Sequence, residues 1–394
     1  MKVLPGVDVL LRRYKRRLRG RRIGVIANAT SVSSDLRSTV DLLVAQADLQ
    51  LRALFGPEHG ARGDVQDAIT VASSVDEATS LPVYSLYGPD KKPTAEMLAD
   101  IDLLIYDIQD VGCRYYTYPY TLSHAMEAAA EHDVEVMVLD RPNPLNGRSI
   151  EGPLLEASLR SFVGRYSIPV RHGLTIGELA QYMNVEFGIG CRLKVVPLEG
   201  WRRRYWFDDT ELPWVPPSPN IPTLDTATVY PGTCLIEGTN VSEGRGTAKP
   251  FEFIGAPWAN GRELAGELNA RSLPGVRFRP LSFTPAFSKH SGTLCHGVQV
   301  HVINRAALRA FETGLHVVAA FIKSYPNDFE FLSNSWEGRP AHFDLLSGVS
   351  NLREMLLARV PVAEVVRQWQ QPSSAQRTAL RAYLGRRKQY LRYA

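Results

Sequence analysis

The sequence has little cysteine and no long apolar run. Its four cysteines lie far apart without a Cys-x-x-Cys pair, so we expect reduced, mostly buried thiols and no structural zinc site: Cys113, Cys191, Cys234 and Cys295. No segment approaches the roughly 20 apolar residues that a membrane-spanning helix needs. The first residues show no signal-peptide pattern, because "IGVIANAT" is too short and is followed by polar residues. These absences predict a cytoplasmic protein without a membrane span.

Several common catalytic and nucleotide-binding motifs are also missing. The glycines after the first apolar run do not form Gly-x-Gly-x-x-Gly, which argues against a dinucleotide site, and no phosphate-binding loop of the nucleoside triphosphatases is present. No His-Glu-x-x-His or paired-histidine spacing indicates a metal, and no Gly-x-Ser-x-Gly turn indicates a serine hydrolase. We therefore expect no metal and no cofactor.

Charge is nearly balanced overall but unevenly distributed. The net charge is +4 over 394 residues, yet residues 12–22 (RRYKRRLRGRR) contain eight basic side chains and no acid. Such a run can bind nucleic acid or a membrane surface, but neither aromatic stacking residues nor an amphipathic stripe accompanies it. We interpret it as a solvated basic face on a short N-terminal helix and expect no nucleic-acid partner.

The length of the chain exceeds the usual size of a single core and predicts two domains. The first half alternates short Val-, Ile- and Leu-rich runs with helical patterns, which is typical of parallel strands buried on both faces. We predict an α/β fold with a doubly wound, mostly parallel sheet in residues 1–230 and a smaller α+β domain in residues 231–394. Residues 199–260 are rich in Pro, Gly, Thr and Ser and predict a long, ordered surface loop.

Polar side chains follow four of the predicted strands at their carboxyl ends. In doubly wound sheets, ligands bind in the crevice beyond these ends. Glu58 and His59 follow the second strand within GPEHG, where flanking glycines allow a tight turn and close approach of a ligand. The other strand ends contribute further polar candidates: Asn28, Thr30, Asp107, Gln109, Asp110, Asp140, Arg141 and Asn143.

The residues around Glu58 have two interpretations each. Glu58 is either a catalytic carboxylate or a turn residue that caps a helix or pairs with Arg62. His59 either orients that carboxylate or satisfies hydrogen bonds of the loop. The segment DIQDVGCRYYTYPY places Arg114, Tyr116 and three further tyrosines close to a strand end. These rings can stack on a sugar, or they can pack the junction between sheet and helix.

A second group of polar residues lies in the glycine-rich segment EGTNVSEGRGT. It contains Glu237, Asn240, Glu243 and Arg245, and the Pro-rich stretch before it contains Asn220. A guanidinium can hold a carboxylate through two parallel hydrogen bonds, so Arg245, like Arg62, is a candidate for binding an acidic ligand. For each of these arginines the alternative is an ordinary surface salt bridge.

These segments resemble a known bacterial family. The blocks that carry the resemblance include LFGPEHGARG, YDIQDVGCRYYTY, VLDRPNPLNG, SFVGRYSIPVRHGLTIGELA and PFEFIGAPW, and it extends over nearly the whole chain. The sequence is similar to the NamZ-type exo-β-N-acetylmuramidases. This resemblance implies a glycoside hydrolase that releases N-acetylmuramic acid (MurNAc) from the non-reducing end of peptidoglycan fragments such as MurNAc linked to N-acetylglucosamine (MurNAc–GlcNAc). It also implies a Rossmann-like domain, a smaller C-terminal domain and a cleft between them.

The resemblance carries the family's proposed catalytic glutamate onto Glu58. Glycoside hydrolysis usually needs an acid for the leaving oxygen and a second group on the other face of the sugar. That second group is left open: Asp107 can orient the 2-acetamido group of the sugar, or Glu243 or Glu237 can activate water. Three arginines are candidates for binding the lactyl carboxylate of muramic acid: Arg62, Arg114 and Arg245. The stereochemical outcome and the oligomeric state are not indicated.

Alternatives to this function stay open. Export is common among relatives, as a peptidoglycan substrate requires, whereas this sequence begins without a signal pattern. Either the natural chain begins upstream, or the enzyme acts in the cytoplasm on recycled fragments, or its substrate has changed. The rival functions are a non-catalytic glycan-binding protein and another α/β hydrolase that acts on a carboxylate-bearing small molecule.

Overall fold

The computed structural model describes residues 2–58, 60, 74–87, 91–333 and 339–394. Its main feature is a seven-stranded sheet with the order β3-β4-β2-β1-β5-β6-β9. All neighbouring strands are parallel except β3 and β4. The strands are β1 (Arg22–Ala27), β2 (Gln50–Gly56), β3 (Ser74–Val75), β4 (Pro82–Ser85), β5 (Leu103–Asp107), β6 (Glu135–Leu139) and β9 (Leu193–Val196). The predicted α/β fold with a mostly parallel sheet is confirmed.

The central strands are apolar along their length because helices cover both faces of the sheet. In β5, Leu103 and Ile105 pack on the face that carries α1 and α2, whereas Leu104 and Tyr106 pack on the face that carries α4 and α5. The helices of this part are α1 (Gly6–Val9), α2 (Thr39–Val44), α3 (Ala95–Leu98), α4 (Tyr118–Glu131) and α5 (Ile176–Glu186).

The order of the strands reverses between β1 and β5. Successive strands lie outward from β1 on one side, as β2 and β4, and outward from β5 on the other, as β6 and β9. A ligand crevice is expected at such a reversal, beyond the carboxyl ends of the strands. Glu58, Asp107 and Asp110 all lie at this edge, because they follow or end β2 and β5.

The rest of the chain adds two small antiparallel sheets and seven α-helices within the described residues. The pair β7 (Glu151–Leu154) and β8 (Pro169–Arg171) lies beside the main sheet, and the second sheet has the order β10 (Phe253–Ala256), β12 (Cys295–Val302), β11 (Val276–Phe283). The helices are α6 (Leu224–Thr233), α7 (Gly261–Ala270), α8 (Ala310–Ser324), α9 (His342–Ser347), α10 (Leu352–Leu357), α11 (Val362–Gln370) and α12 (Ala375–Arg387). The chain from α6 onward thus adds a second, smaller part that contains both helices and strands.

The two parts share one large hydrophobic core. Side chains of β5 and α4 belong to the same buried cluster as side chains of α6, α8 and the second sheet. The C-terminal segment also returns to the first part, where the Tyr383 hydroxyl donates to the carbonyl of His172 at 2.6 Å. The predicted domain boundary between residues 230 and 231 falls inside α6, and the division into 1–230 and 231–394 stays a prediction.

The prediction of a surface loop over residues 199–260 was wrong. The segment contains α6 and β10, and α6 is mostly buried although it is rich in Thr and includes Pro231. A Cβ added to Gly232 would lie 1.8 Å from the carbonyl oxygen of Ala310, and one added to Gly314 would lie 2.1 Å from the carbonyl oxygen of Gly232. Two glycines therefore let α6 and α8 touch through their backbones, and this contact overrides a weak helix propensity.

The basic N-terminal run is neutralised in part by acids from distant segments. Arg13 pairs with Glu199, and both Lys15 and Arg19 pair with Asp48. Further along the run, Arg21 pairs with Glu135 and Arg22 with Asp100 and Asp102: these contacts fit the interpretation of a solvated face. Within the described ranges, no helix is long and apolar enough to cross a membrane. All four cysteines are free and buried, as predicted.

Candidate active site

Glu58 lies two residues beyond β2, in the turn that the GPEHG motif predicts. The N–H of Gly60 donates to the carbonyl of Pro57 at 3.0 Å, and Gly60 has a φ of 80°. The half-buried Glu58 side chain accepts a hydrogen bond at Oε2 from the hydroxyl of Thr117 at 2.9 Å, while Oε1 has no hydrogen bond to a described residue. Because Thr117 directly precedes α4, the helix fixes one carboxylate oxygen and leaves the other available for chemistry.

Three tyrosines and a phenylalanine form a row of edge-to-face rings beside this carboxylate. Tyr118 donates its hydroxyl to the carbonyls of Glu58 and Pro217, at 3.3 and 2.7 Å. Its ring lies 4.9 Å from that of Tyr116, which lies 6.1 Å from Tyr230. Tyr230 in turn lies 4.8 Å from Phe251: the row extends from Glu58 into the C-terminal part.

Several buried polar atoms in this region have no hydrogen-bond partner among the described residues. Asp110 accepts the N–H of Gly112 at Oδ2 (2.8 Å), and the same oxygen faces Nε2 of His172 at 3.3 Å. Among the described residues, Oδ1 of Asp110 and the hydroxyl of Tyr116 have no hydrogen-bond partner. Burial raises the pKa of Tyr116 well above its usual value, and the charges of Glu58 and Asp110 raise it further. Tyr116 therefore keeps its proton and can act as a hydrogen-bond donor within electrostatic range of Glu58 and Asp110.

Asp107 does not have the freedom that an orienting role requires. Its side chain is fully buried, and its two oxygens accept hydrogen bonds from Arg141 at 2.6 and 2.8 Å. The hydroxyl of Thr39 donates to Oδ2 at 2.6 Å. These contacts weigh against the expectation that Asp107 orients the acetamido group and favour a structural ion pair, because a buried carboxylate needs such partners.

Arg114 cannot bind a lactyl carboxylate either. The residue is 1% exposed, and its guanidinium donates to four backbone carbonyls at 2.6 to 3.0 Å: Pro153, Ile168, Leu346 and Ser347. Burial lowers its pKa. Arg114 thus joins the first part of the chain to α9, and these contacts weigh against its predicted role at the substrate.

Three further rim candidates hold the strand-end loops together. Gln109 donates from Nε2 to the carbonyls of Asp110 and Pro142, both at 2.7 Å. Asn143 bonds the backbone of Leu145 and Leu174 through its side-chain amide. Asn28 accepts the N–H and the hydroxyl of Thr30 at Oδ1. All three are buried, and these contacts assign them to the support of the rim.

The second polar segment forms a compact cluster of charges. Arg245 lies 2.6 Å from Glu237 and 3.4 Å from Glu243, and Lys289 lies 2.8 Å from Glu243. Burial would raise the pKa of Glu237, but Arg245 and His342 outweigh it and lower that pKa to about 2. Both glutamates thus face cations, which weakens either as a base that activates water.

This charge cluster lies at the far end of the row of rings. The guanidinium of Arg245 lies 5.3 Å from the centre of Phe251. Asn240 lies apart from the row, since its amide bonds the backbone of Asp328 and Glu330. Asn220 is buried in the loop that receives the hydroxyl of Tyr118.

Some predictions cannot be placed, and other contributors were not predicted. His59 and Arg62 lie outside the described residues. Thr117 was not singled out, although a hydroxyl directly before a helix is a signal for such a contact. Asp110 was placed on the rim without a role. No group of three or more His, Cys, Asp or Glu side chains that could hold a metal occurs in the described part of the chain.

This chain is similar to known proteins both in its sequence and in its structure. Residues 23–225 and 228–393 match the two family models described as exo-beta-N-acetylmuramidase NamZ, N-terminal and C-terminal. A relative from Bacillus subtilis (strain 168), named peptidoglycan beta-N-acetylmuramidase NamZ, is 52% identical over 392 residues, which cover 100% of this chain and 92% of the relative.

Two crystal structures of DUF1343 family proteins from Bacteroides fragilis NCTC 9343 have the same fold. The first has a TM-score of 0.89 at 38% identity, and the second has a TM-score of 0.79 at 30% identity. Each match covers 100% of this chain and 99% of the other.

Proposed function

Since this chain belongs to the exo-beta-N-acetylmuramidase NamZ family, we propose that it is a glycoside hydrolase that releases N-acetylmuramic acid from the non-reducing end of peptidoglycan fragments. We propose MurNAc–GlcNAc as its minimal substrate. The observation that carries this proposal is the half-buried carboxylate of Glu58. It lies beyond the carboxyl end of a parallel strand, is fixed at one oxygen by Thr117 and has an adjacent row of tyrosines.

We assign Glu58 the role of general acid. It donates a proton to the glycosidic oxygen as the bond from that oxygen to C1 of muramic acid breaks. Its carboxylate then takes a proton from the water that attacks C1. The adjacent tyrosine rings give the sugar an apolar surface next to this oxygen.

In this proposal, the acetamido group of the sugar is the second catalytic group and acts as the nucleophile at C1. A secondary amide has one N–H donor and one carbonyl acceptor. Among the described residues, Asp110 Oδ1 is an acceptor and the Tyr116 hydroxyl is a donor without a hydrogen-bond partner. Unpaired buried polar atoms cost free energy that a ligand with matching groups recovers. With Asp110 accepting the amide N–H, the carbonyl oxygen attacks C1 and forms a cyclic intermediate, which water opens.

The other carboxylates support this assignment by their contacts. Asp107 is bound by Arg141, Glu237 by Arg245, and Glu243 by Lys289. Direct activation of water would require one of them to act as a base while paired with a cation. Two inversions at C1, by the acetamido oxygen and then by water, predict net retention of the β configuration.

Release of N-acetylmuramic acid from MurNAc–GlcNAc by the wild type and by Glu58→Gln tests the function. We expect the variant to be about 10²- to 10⁴-fold slower, which is the usual contribution of a general acid, and to bind the disaccharide as the wild type does. Wild-type-like turnover of the variant would exclude Glu58 as the acid. If the wild type binds the disaccharide without cleaving it, the protein is a glycan-binding protein instead.

Proton NMR of the first product tests whether the acetamido group is the nucleophile that attacks C1. We expect β-MurNAc to form first and then to mutarotate. Initial formation of the α anomer would exclude the cyclic intermediate and would assign water as the nucleophile in a single displacement.

A further inference from the structure

The proposed substrate carries a carboxylate, and neither of the two predicted arginines that the structure describes is free to bind it. Arg114 is committed to backbone carbonyls, and Arg245 faces two glutamates. Arg62 lies outside the described residues. A lactyl carboxylate that enters a partly dry site needs a cation to replace its hydration.

Two other cations contact the same loop, and neither has a carboxylate partner among the described residues. The ammonium of Lys91 lies 4.2 Å from the centre of the Phe162 ring, and the guanidinium of Arg339 donates to the carbonyl of Arg160 at 3.4 Å. Within the described ranges, neither cation forms an ion pair with an acid. Because Arg160 and Phe162 are two residues apart in one loop, this loop brings the two cations together.

The loop that holds these two cations contacts α4 about two turns beyond the residue that holds Glu58. The Phe162 ring stacks on His124 with centres 6.2 Å apart, and His124 lies about two helical turns, or roughly 10 Å, beyond Thr117, which holds Glu58. Burial lowers the pKa of Lys91, the charge of Glu58 opposes this effect, and the charge of Arg339 adds to it. The ammonium of Lys91 is thus within electrostatic reach of both residues.

Neighbouring cations show that pairing is the rule in this region. Lys92, the next residue in the chain, lies 2.6 Å from Glu131, and Arg165 lies 3.0 Å from Glu127. Two like charges near each other repel when neither has an ion-pair partner in contact with it, and an anionic ligand that contacts both lowers that cost. Lys91 and Arg339 therefore differ from these neighbouring cations because neither has an ion-pair partner among the described residues.

Resting on the proposed function of the Glu58 site, we propose that Lys91 and Arg339 bind the lactyl carboxylate of N-acetylmuramic acid and make the enzyme specific for a muramic over an uncharged sugar. Lys91 is half-buried, so its contact with the carboxylate is less screened by water than that of the exposed Arg339. Lys91 is accordingly expected to contribute more.

The test compares Lys91→Met with Lys92→Met. Methionine keeps the unbranched stem over Phe162 and removes the charge. The substrates are a chromogenic β-glycoside of N-acetylmuramic acid and the same glycoside with its lactyl carboxylate converted to the amide. We expect Lys91→Met to lower kcat/KM for the acid about 10- to 100-fold, as for the loss of a hydrogen bond to a charged group. The amide substrate should be nearly unaffected, and Lys92→Met should match the wild type on both substrates.

Equal loss on the acid and the amide, or no loss on the acid, would overturn the proposal. If no variant cleaves either glycoside, the proposed hydrolysis fails, and calorimetry with free N-acetylmuramic acid decides the inference separately. Weaker binding to Lys91→Met than to Lys92→Met would support it, and equal binding would reject it.

Discussion

Asp107→Asn separates a structural carboxylate from a catalytic one. The substitution removes the negative charge that faces Arg141, whose side chain is 6% exposed. The arginine would retain one backbone acceptor, the carbonyl of Val32 at 2.9 Å. Removing one partner of a buried ion pair typically costs about 3–5 kcal/mol. Asparagine keeps one oxygen that can accept from the guanidinium, so we expect the lower end, about 3 kcal/mol.

That loss has a measurable thermal consequence. At about 2 °C per kcal/mol, the low end for domains of 150–250 residues and therefore suited to this longer chain, the Tm should fall by roughly 6 °C. At 25 °C the variant stays folded, and kcat/KM should stay within about threefold of the wild type because Asp107 does not reach the substrate. Differential scanning calorimetry and the disaccharide assay on one preparation give both numbers.

Glu58→Gln is the matched control because it should behave in the opposite way. Its half-buried side chain makes one hydrogen bond to Thr117, so its Tm should change little while turnover falls about 10²- to 10⁴-fold. An unchanged Tm for Asp107→Asn together with a hundredfold loss of turnover would refute the reasoning. It would return Asp107 to the catalytic site.

Three further predictions follow from buried groups. Burial raises the pKa of Asp140 to about 6, so the folded protein holds a proton that the unfolded chain loses above about pH 4. As the pH rises from 4 to 7, the free energy of unfolding of the wild type should therefore fall by up to about 3 kcal/mol relative to that of Asp140→Asn. A difference between the two proteins in urea unfolding that does not change with pH would contradict this sign. Gly314→Ala should destabilise the protein by about 1–3 kcal/mol through its clash with Gly232. Gly266 is an exposed helical position with open space around it, so Gly266→Ala should stabilise the protein by about 0.5–1 kcal/mol. Equal urea midpoints for the two variants would reject the backbone contact. Tyr116→Phe should slow release of N-acetylmuramic acid about tenfold or more without lowering the Tm, since its hydroxyl has no partner among the described residues. A lower Tm with full activity would show a purely structural hydroxyl.

The long segment before the second sheet shows where local signals failed. Thr, Pro and Gly in residues 224–233 have weak helix propensity, and their pattern predicted a loop. The helix forms because Gly232 and Gly314 allow two helices to touch through their backbones. The partner residue lies more than 80 positions away in the sequence, and no local window contains both.

The strands and the turn at Glu58 were predictable because their causes are local. Short apolar runs separated by helical patterns predicted β1, β2, β5 and β6, and glycines on both sides of Glu58 predicted the turn. Side-chain type and spacing determine these features within about ten residues. The rule that ligands bind beyond parallel strands then located the edge of the sheet where polar residues collect.

The sequence by itself determined which polar residues reach that edge, and the tertiary structure decided which of them are already paired. Asp107 and Asp110 are three residues apart and chemically alike, yet Arg141 binds the first and one oxygen of the second has no partner among the described residues. Lys91 and Lys92 are adjacent, yet in the described part of the chain Lys92 forms an ion pair, with Glu131, and Lys91 forms none. The partners come from distant parts of the chain. Which charged groups lack a partner therefore depends on contacts that only the folded protein makes.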